Sequence, residues 1–342
     1  MDCIYLQTDQ SRYWIEKTGH QCHVTDDLVS WTASTDRRVS VIEVLNFDDV
    51  THGLLDHCCQ HGDLVFVVIN EFISDRYCQE FDLPNVVFVL NGCLNWQPEY
   101  ARMIDGMYFF WSTCDFYQRF PELLESLDGP KDRVFDVLLG RRKLHRDWIY
   151  NSIDRDQNIV TYFPEYQDRD IREYDQTQFQ WPTDILPVPN DPVDLTVQEV
   201  TVDGVIVSLS QIIPRDIYRR TRYTLVAETV YDNRWSFPTE KIAKPLLARR
   251  LFVVYAGQYY LRNLQNMGFH TFGSVIDESY DNEPDPRRRM DMVMEQVEKL
   301  QKIDYARVLE KINPIVEHNH YLMTRMDWQQ CMIDSMRFIL CK

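Results

Sequence analysis

Residues 223–272 read YTLVAETVYDNRWSFPTEKIAKPLLARRLFVVYAGQYYLRNLQNMGFHTF, and this stretch carries residue types that handle phosphate. Its first apolar run ends in a carboxylate, Glu228. After a polar loop, Phe237-Pro238-Thr239-Glu240-Lys241 opens a helical pattern. Proline suits a helix start, because the amide it lacks would be unpaired there anyway. Thr239 can cap the free amides of that first turn. Unpaired N–H groups, the positive end of the helix dipole and the Lys241 charge then converge, which is a natural place for a diphosphate. Glu240 at the same point can accept hydrogen bonds from ribose hydroxyls. Glu and Lys are also ordinary first-turn residues, so their meaning depends on the frame that positions them.

That frame reads as α/β. Residues 39–47 (VSVIEVLNF), 64–72 (LVFVVINEF) and 86–91 (VVFVLN) are apolar on both faces, as buried parallel strands are. Between the first two, residues 48–62 are long enough for a crossover helix, so βαβ units are expected. Their polar ends would reach the carboxyl edge of a sheet, where open α/β folds bind ligands. Gly129-Pro130, among charges, marks a boundary. A second series follows: a strand at 134–139, a helix at 141–153, strands at 223–228 and 251–256, and a helix at 239–250 that Pro245 interrupts. Residues 154–196 hold Pro164, Pro182, Pro187, Pro189 and Pro192 and read as irregular. Residues 200–209 read as a hairpin about Asp203-Gly204. Met290, Val293, Met294, Val297 and Leu300 form a core-facing helical stripe, repeated by Leu322, Trp328, Met332, Met336 and Ile339.

The order acid, loop, F-x-T-E-K, helix, strand, glycine appears here as Ala227-Glu228-Thr229, then 237–241, then 251–257. It resembles the donor-binding segment of fucosyltransferase-type glycosyltransferases of the GT-B architecture. Residues 134–153 (VFDVLLGRRKLHRDWIYNSI) add a second similarity. Arg146 matches the arginine that opens the helix after the first donor-domain strand, with Arg141, Arg142 and Lys143 nearby. The resemblance implies two Rossmann-like domains facing a cleft, with an acceptor-side α/β domain at 1–128 and a nucleotide-sugar domain at 129–315. A last helix, 316–342, crosses back to the first domain on this reading. The donor would be held by Arg146, Glu228, Thr239, Glu240 and Lys241, with no cofactor and no bound metal. An inverting transfer also needs a general base. The resemblance puts it in the N-terminal domain, at Glu71 after the 64–72 run, or at Asp9 after Cys3-Ile4-Tyr5-Leu6.

There are departures from that pattern. Ala248-Arg249-Arg250-Leu251-Phe252 stands where the family has Ala-Gly and then Pro, which leaves the sugar open. Residues 267–281 (MGFHTFGSVIDESYD) resemble uncharacterised phage and giant-virus proteins. A viral protein working in a host cytoplasm is therefore one reading. The acceptor is open between a glycan, a protein and a modified base of phage DNA. In the last case a base would be flipped out, and Arg287-Arg288-Arg289 with Arg215, Arg219, Arg220 and Arg222 would meet phosphates. A protein that binds a nucleotide sugar without turning it over is the alternative of another class.

Composition sets the outer limits. The 342 residues suggest about two domains. A formal charge of −17 argues against a surface coated for nucleic acid, though not against a local basic cleft. Nine cysteines without C-x-x-C spacing make neither a disulfide framework nor a zinc site, so a reducing cytoplasm is expected. The first ten residues carry Asp2 and Asp9 and no basic leader pattern. No apolar run approaches the ~20 residues that span a bilayer. Asp154-Arg155-Asp156 and Asp168-Arg169-Asp170 interleave arginine and read as solvated loops rather than magnesium ligands. His318 and His320 read as solvated or capping, and Cys58-Cys59 as buried rather than reactive. There is no G-x-G-x-x-G, P-loop or G-x-S-x-G.

Overall fold

A computed structural model describes residues 2–7, 9–44, 49–69, 80–90, 92–94, 103–106, 108–124, 127–141, 143–163, 199–202, 205–231, 233 and 235–342. The chain is α/β, with parallel sheets of six and four strands. Residues Met1–Tyr108 and Asp327–Lys342 form one compact unit, and Phe109–Met326 a second.

The first unit alternates β1 (Asp2–Leu6), α1 (Asp9–Thr18), β2 (Cys22–Thr25), α2 (Leu28–Ala33), β3 (Arg37–Val44), α3 (Asp49–His61) and β4 (Leu64–Ile69). Then come β5 (Val86–Leu90), the short β6 (Cys93–Leu94) and β7 (Met103–Asp105). The sheet order is β2-β1-β3-β4-β5-β7, and every pair is parallel. Every residue of β4 (LVFVVI) and β5 (VVFVL) is buried, as strands covered on both faces require. The Trp31 indole pins α2 to the sheet by donating to the Val39 carbonyl at 2.9 Å. Cys58 and Cys59 are buried on α3. Burial pushes their thiols up to about 11 and about 12, so both stay protonated near neutrality.

The second unit contains α4 (Tyr108–Arg119, whose first residue belongs to the first unit), β8 (Arg133–Arg141), α5 (Leu144–Ser152), β9 (Ile159–Phe163), β10 (Glu199–Val202) and β11 (Val205–Ser208). It continues through α6 (Arg215–Arg220), β12 (Thr221–Ala227), β13 (Trp235–Ser236), α7 (Glu240–Leu247), β14 (Phe252–Tyr255) and α8 (Tyr260–Asn266). Two long helices close it, α9 (Pro286–Lys302) and α10 (Tyr305–Arg325). Its sheet order is β14-β12-β8-β9, all parallel. β10 and β11 pair antiparallel, as expected of that stretch, while Asp203-Gly204 lie outside the described residues.

Three boundaries differ from the sequence expectation. The division at 128/129 falls inside the second unit, because α4 belongs there. The Tyr117 hydroxyl accepts from the Ile213 amide at 2.6 Å, and Gln211 donates to Ser112 at 2.7 Å. Residues 316–326 also stay in the second unit, as the end of α10. Only α11 (Trp328–Leu340) joins the first unit, where Arg337 donates to the Thr18 carbonyl and Arg37 to that of Leu340, both at 2.6 Å. Finally, β9 forms inside the stretch read as irregular. Its run IVTYF is short, but it pairs beside β8, and Asn158 accepts from the Phe135 amide at 2.9 Å to set the edge. Residues 164–198, including Asp168 and Asp170, lie outside the described residues.

Toward the amino ends of β8 and β12 a buried ion pair staples the second sheet. Arg250 donates to Asp136 at 2.7 Å, to Thr221 and Thr224, and to the Tyr218, Thr221 and Tyr223 carbonyls. Asp285 caps α9, and Pro286 opens it. Met290, Val293, Val297 and Leu300 of that helix are buried. His320 bonds the Leu247 carbonyl, and His318 stacks on His270. Among the described residues, no helix is long and apolar enough to cross a membrane.

Candidate functional site

The chain runs from β8 outward to β9, then returns past β8 to build β12 and β14 on the other side. The direction therefore reverses between β8 and β12. Ligands of open parallel sheets bind outside the carboxyl ends of the strands at such a reversal. The residues that follow β8 and β12 meet there.

Glu228, just past β12, has no exposed surface. One carboxylate oxygen accepts from the Tyr260 hydroxyl at 2.7 Å and the Thr239 amide at 3.2 Å. The other accepts from the Thr239 hydroxyl at 2.8 Å and the Thr229 amide at 3.2 Å. All its lone pairs are thus in use by protein donors. In this structure the strand-end acid is a clamp that draws the start of α7 and the start of α8 onto β12. Burial pushes its pKa up, and Lys241, Tyr260 and Thr239 oppose that.

Thr239 is the N-cap of α7, and its hydroxyl also accepts from the Lys241 amide at 3.2 Å. Removing the cap and one of the four bonds on Glu228 has a definite cost. Thr239→Ala is expected to lower unfolding free energy by about 2 kcal/mol, and Thr239→Ser to keep most of it. Chemical denaturation checks this, and equal midpoints for wild type and the alanine variant would refute the clamp.

Lys241 is partly exposed. Its ammonium donates to Glu240 at 2.6 Å, to the Thr229 hydroxyl at 3.2 Å and to the Thr239 hydroxyl at 3.4 Å. Glu240 is buried, which raises its pKa. The Lys241 and Lys244 charges and hydrogen bonds outweigh that burial and hold the carboxyl below its usual range. One turn on, Lys244 is buried and donates to the Ser210 carbonyl at 2.8 Å. Burial, partly offset by Glu240, pushes it down to about 8.

The β8 side contributes three residues. Lys143 is the N-cap residue of α5, its own side chain does not cap the helix, and its ammonium reaches the Thr229 carbonyl at 3.1 Å. Arg146 is buried, and its guanidinium lies against Gly140. That glycine sits at φ +63°, in the left-handed region, where a side chain would be strained. His145 is buried between them and bonds the Glu228 carbonyl through Nε2 at 2.9 Å. A carbonyl only accepts, so Nε2 carries the proton. Burial pushes His145 down to about 3, and the charges of Arg146, Lys143 and Lys241 push the same way, outweighing its bond to the Glu228 carbonyl. A neutral imidazole thus stands amid three cations and two helix starts. Such a field has the charge and the free amides that suit an anion.

The structure therefore brings Arg146, Glu228, Thr239, Glu240 and Lys241 to one edge. Asp9 is the first residue of α1, in the first unit. Glu71 lies outside the described residues. No pattern in the sequence singles out His145, Thr229 or Tyr260. Lys143 is visible there only as neighbouring charge, and no local spacing links Tyr260 to an acid on another strand.

The arginine clusters are engaged within the protein. Arg220 makes a two-point pair with Asp132 at 3.0 and 3.2 Å, Arg219 reaches the Asp128 carbonyl, and Arg222 that of Lys131. Arg288 pairs with Glu283, and Arg289 is buried. Asp154 closes an exposed turn, accepting from the Asp156 amide and from Gln157. No known protein-family model matches this chain, and no curated protein matches it.

Proposed function

We propose that this protein is a glycosyltransferase that moves a sugar from a nucleotide-sugar donor to a hydroxyl acceptor, with two α/β domains in the GT-B manner. One observation carries the reading. Lys143, Arg146 and Lys241 converge with the starts of α5 and α7 at the strand reversal between β8 and β12. The resemblance of residues 223–257 to fucosyltransferase-type donor segments supports it.

On this reading the acceptor oxygen attacks the anomeric carbon as a carboxylate, for which Glu71 and Asp9 are the candidates, takes its proton. The bond from that carbon to the diphosphate oxygen breaks, and its electron pair leaves with the nucleoside diphosphate. Negative charge grows on the leaving group, and Lys241, Arg146 and Lys143 stabilise it. These cations supply the charge neutralisation that the step requires, so the reading calls for no metal. Glu240 accepts from ribose hydroxyls, and Glu228 and Thr239 position α7. A glycan, a protein or a modified DNA base fits as acceptor. The formal charge of −17 weighs against DNA.

The test incubates the purified chain with a panel of nucleotide sugars. The expected result is a raised melting temperature with one donor and slow release of its nucleoside diphosphate. Binding without release, across a panel of hydroxyl acceptors, would instead make the protein a nucleotide-sugar binder. Neither binding nor release with any donor would sink both readings.

A further inference from the structure

Beside the phosphate-side cations lies an aromatic cluster that the donor reading leaves without a role. Leu144 follows Lys143 and is 56 % exposed. Trp148 stands one helical turn further along α5 and is half-buried. That turn advances ~5.4 Å, comparable to the width of a ribose. Tyr231, on the loop after β12, meets the His145 ring at 4.7 Å, stacks on Tyr255 at 6.0 Å and touches Trp148 edge-on at 6.3 Å.

The cluster is held from behind. Arg289, 1 % exposed, donates to the Tyr231 carbonyl at 3.1 Å, to Asn233 at 2.8 Å and to the Glu283 carbonyl at 2.5 Å. The Tyr255 hydroxyl donates to the Pro286 carbonyl at 2.9 Å. In front, the Arg287 guanidinium lies 5.3 Å from the centre of the Trp148 ring. Asp291, one turn along α9, pairs with it at 3.5 Å, and the Arg287 side chain is 55 % exposed. Exposed pairs of this kind hold weakly, so the guanidinium can move off the indole. The result is an aromatic step with a movable cationic cover, on the helix that begins at Lys143 and carries Arg146.

We propose that Trp148 and Arg287 form a stacking subsite for a planar heteroaromatic ring, the base of a nucleotide whose diphosphate lies at Lys143, Arg146 and Lys241. The subsite rests on the donor-site reading above. A base between indole and guanidinium gains stacking on one face and a cation–π contact on the other. Inorganic pyrophosphate has no ring and gains neither, so the subsite separates nucleotides from bare diphosphate.

Calorimetric titration of uridine, guanosine and adenosine diphosphates, and of inorganic pyrophosphate, tests this on the full chain. Wild type is expected to bind its best nucleoside diphosphate at least about tenfold more tightly than pyrophosphate. Trp148→Leu should remove about tenfold of that affinity, Arg287→Ala about threefold, and Trp148→Phe less than either. Pyrophosphate affinity should stay within about twofold in all three. Unchanged nucleotide affinity in both Trp148→Leu and Arg287→Ala overturns the subsite, as does an equal loss of pyrophosphate. If Trp148→Leu does not fold, the exposed Arg287→Ala decides the matter alone, by the same two criteria. A folded wild type that binds neither nucleotide nor pyrophosphate overturns the donor-site reading itself, which a failure of the subsite alone would leave standing.

Discussion

Lys241→Ala is expected to slow nucleoside diphosphate release from the preferred nucleotide sugar by about 10²–10³-fold, the loss typical when one preorganised charge stabiliser is removed. The three donors of the ammonium go to Glu240, Thr229 and Thr239, so it reaches developing charge by releasing the longest of these bonds, the 3.4 Å one to Thr239. The substitution also strips the buried Glu240 of its 2.6 Å partner and leaves the Lys244 charge to act on it alone. Some loss of stability is therefore expected alongside the loss of rate. The double variant Glu240→Gln/Lys241→Ala separates the two effects, because a neutral amide needs no counter-charge. It should melt closer to wild type than Lys241→Ala does and remain as slow. Lys241→Arg should restore the charge but not the three-point fit of an ammonium, giving partial rescue. A folded Lys241→Ala protein that keeps activity within about threefold of wild type would remove Lys241 from the mechanism.

The second large effect is acid sensitivity through His145. Its folded value is pushed down to about 3, from the ordinary 6.5, chiefly by burial. Below pH 6.5 the unfolded chain takes up a proton that the folded chain refuses. The histidine's contribution is therefore intact above pH 6.5 and is lost progressively as pH falls toward 3. By pH 5 the expected loss is about 2 kcal/mol. Glu228 and Asp136, raised by burial, drift the opposite way in acid. The informative quantity is thus the difference between wild type and His145→Gln, which keeps a donor for the Glu228 carbonyl and does not titrate. Denaturant unfolding at pH 7, 6 and 5 should show wild type losing stability relative to the variant at each step. Parallel curves would mean that His145 is not buried in its neutral form.

These outcomes depend on features of unequal legibility. The strands at 64–69 and 86–90 are plain in the sequence, because a strand covered on both faces is apolar without interruption. The start of α7 is equally plain, since Thr239 is a local signal that caps the next few amides. By contrast, β9 is hidden. Its five residues follow the polar turn 154–158 and precede a proline-rich stretch, and only a place beside β8 makes them a strand. The arginines at 215–222 look like an anion-binding patch in sequence. Asp132, the Asp128 carbonyl and Tyr305 engage three of them once the chain has folded.

Glu228, Thr239, Glu240 and Lys241 can be placed in advance because strand ends and helix starts are written in short-range patterns of polarity and capping, whereas Arg146 is singled out only by the resemblance. The amino-acid sequence by itself determined that these groups stand at the ends of elements. Only the tertiary structure decided what each is free to do. The strand order β14-β12-β8-β9 sets α5 beside the loop after β12 and brings Tyr260 to Glu228. Glu228 thereby spends its lone pairs on the protein, His145 stays neutral, and Trp148 meets Arg287. Hydrogen-bond saturation and desolvation depend on neighbours from distant parts of the chain, and no local pattern encodes them.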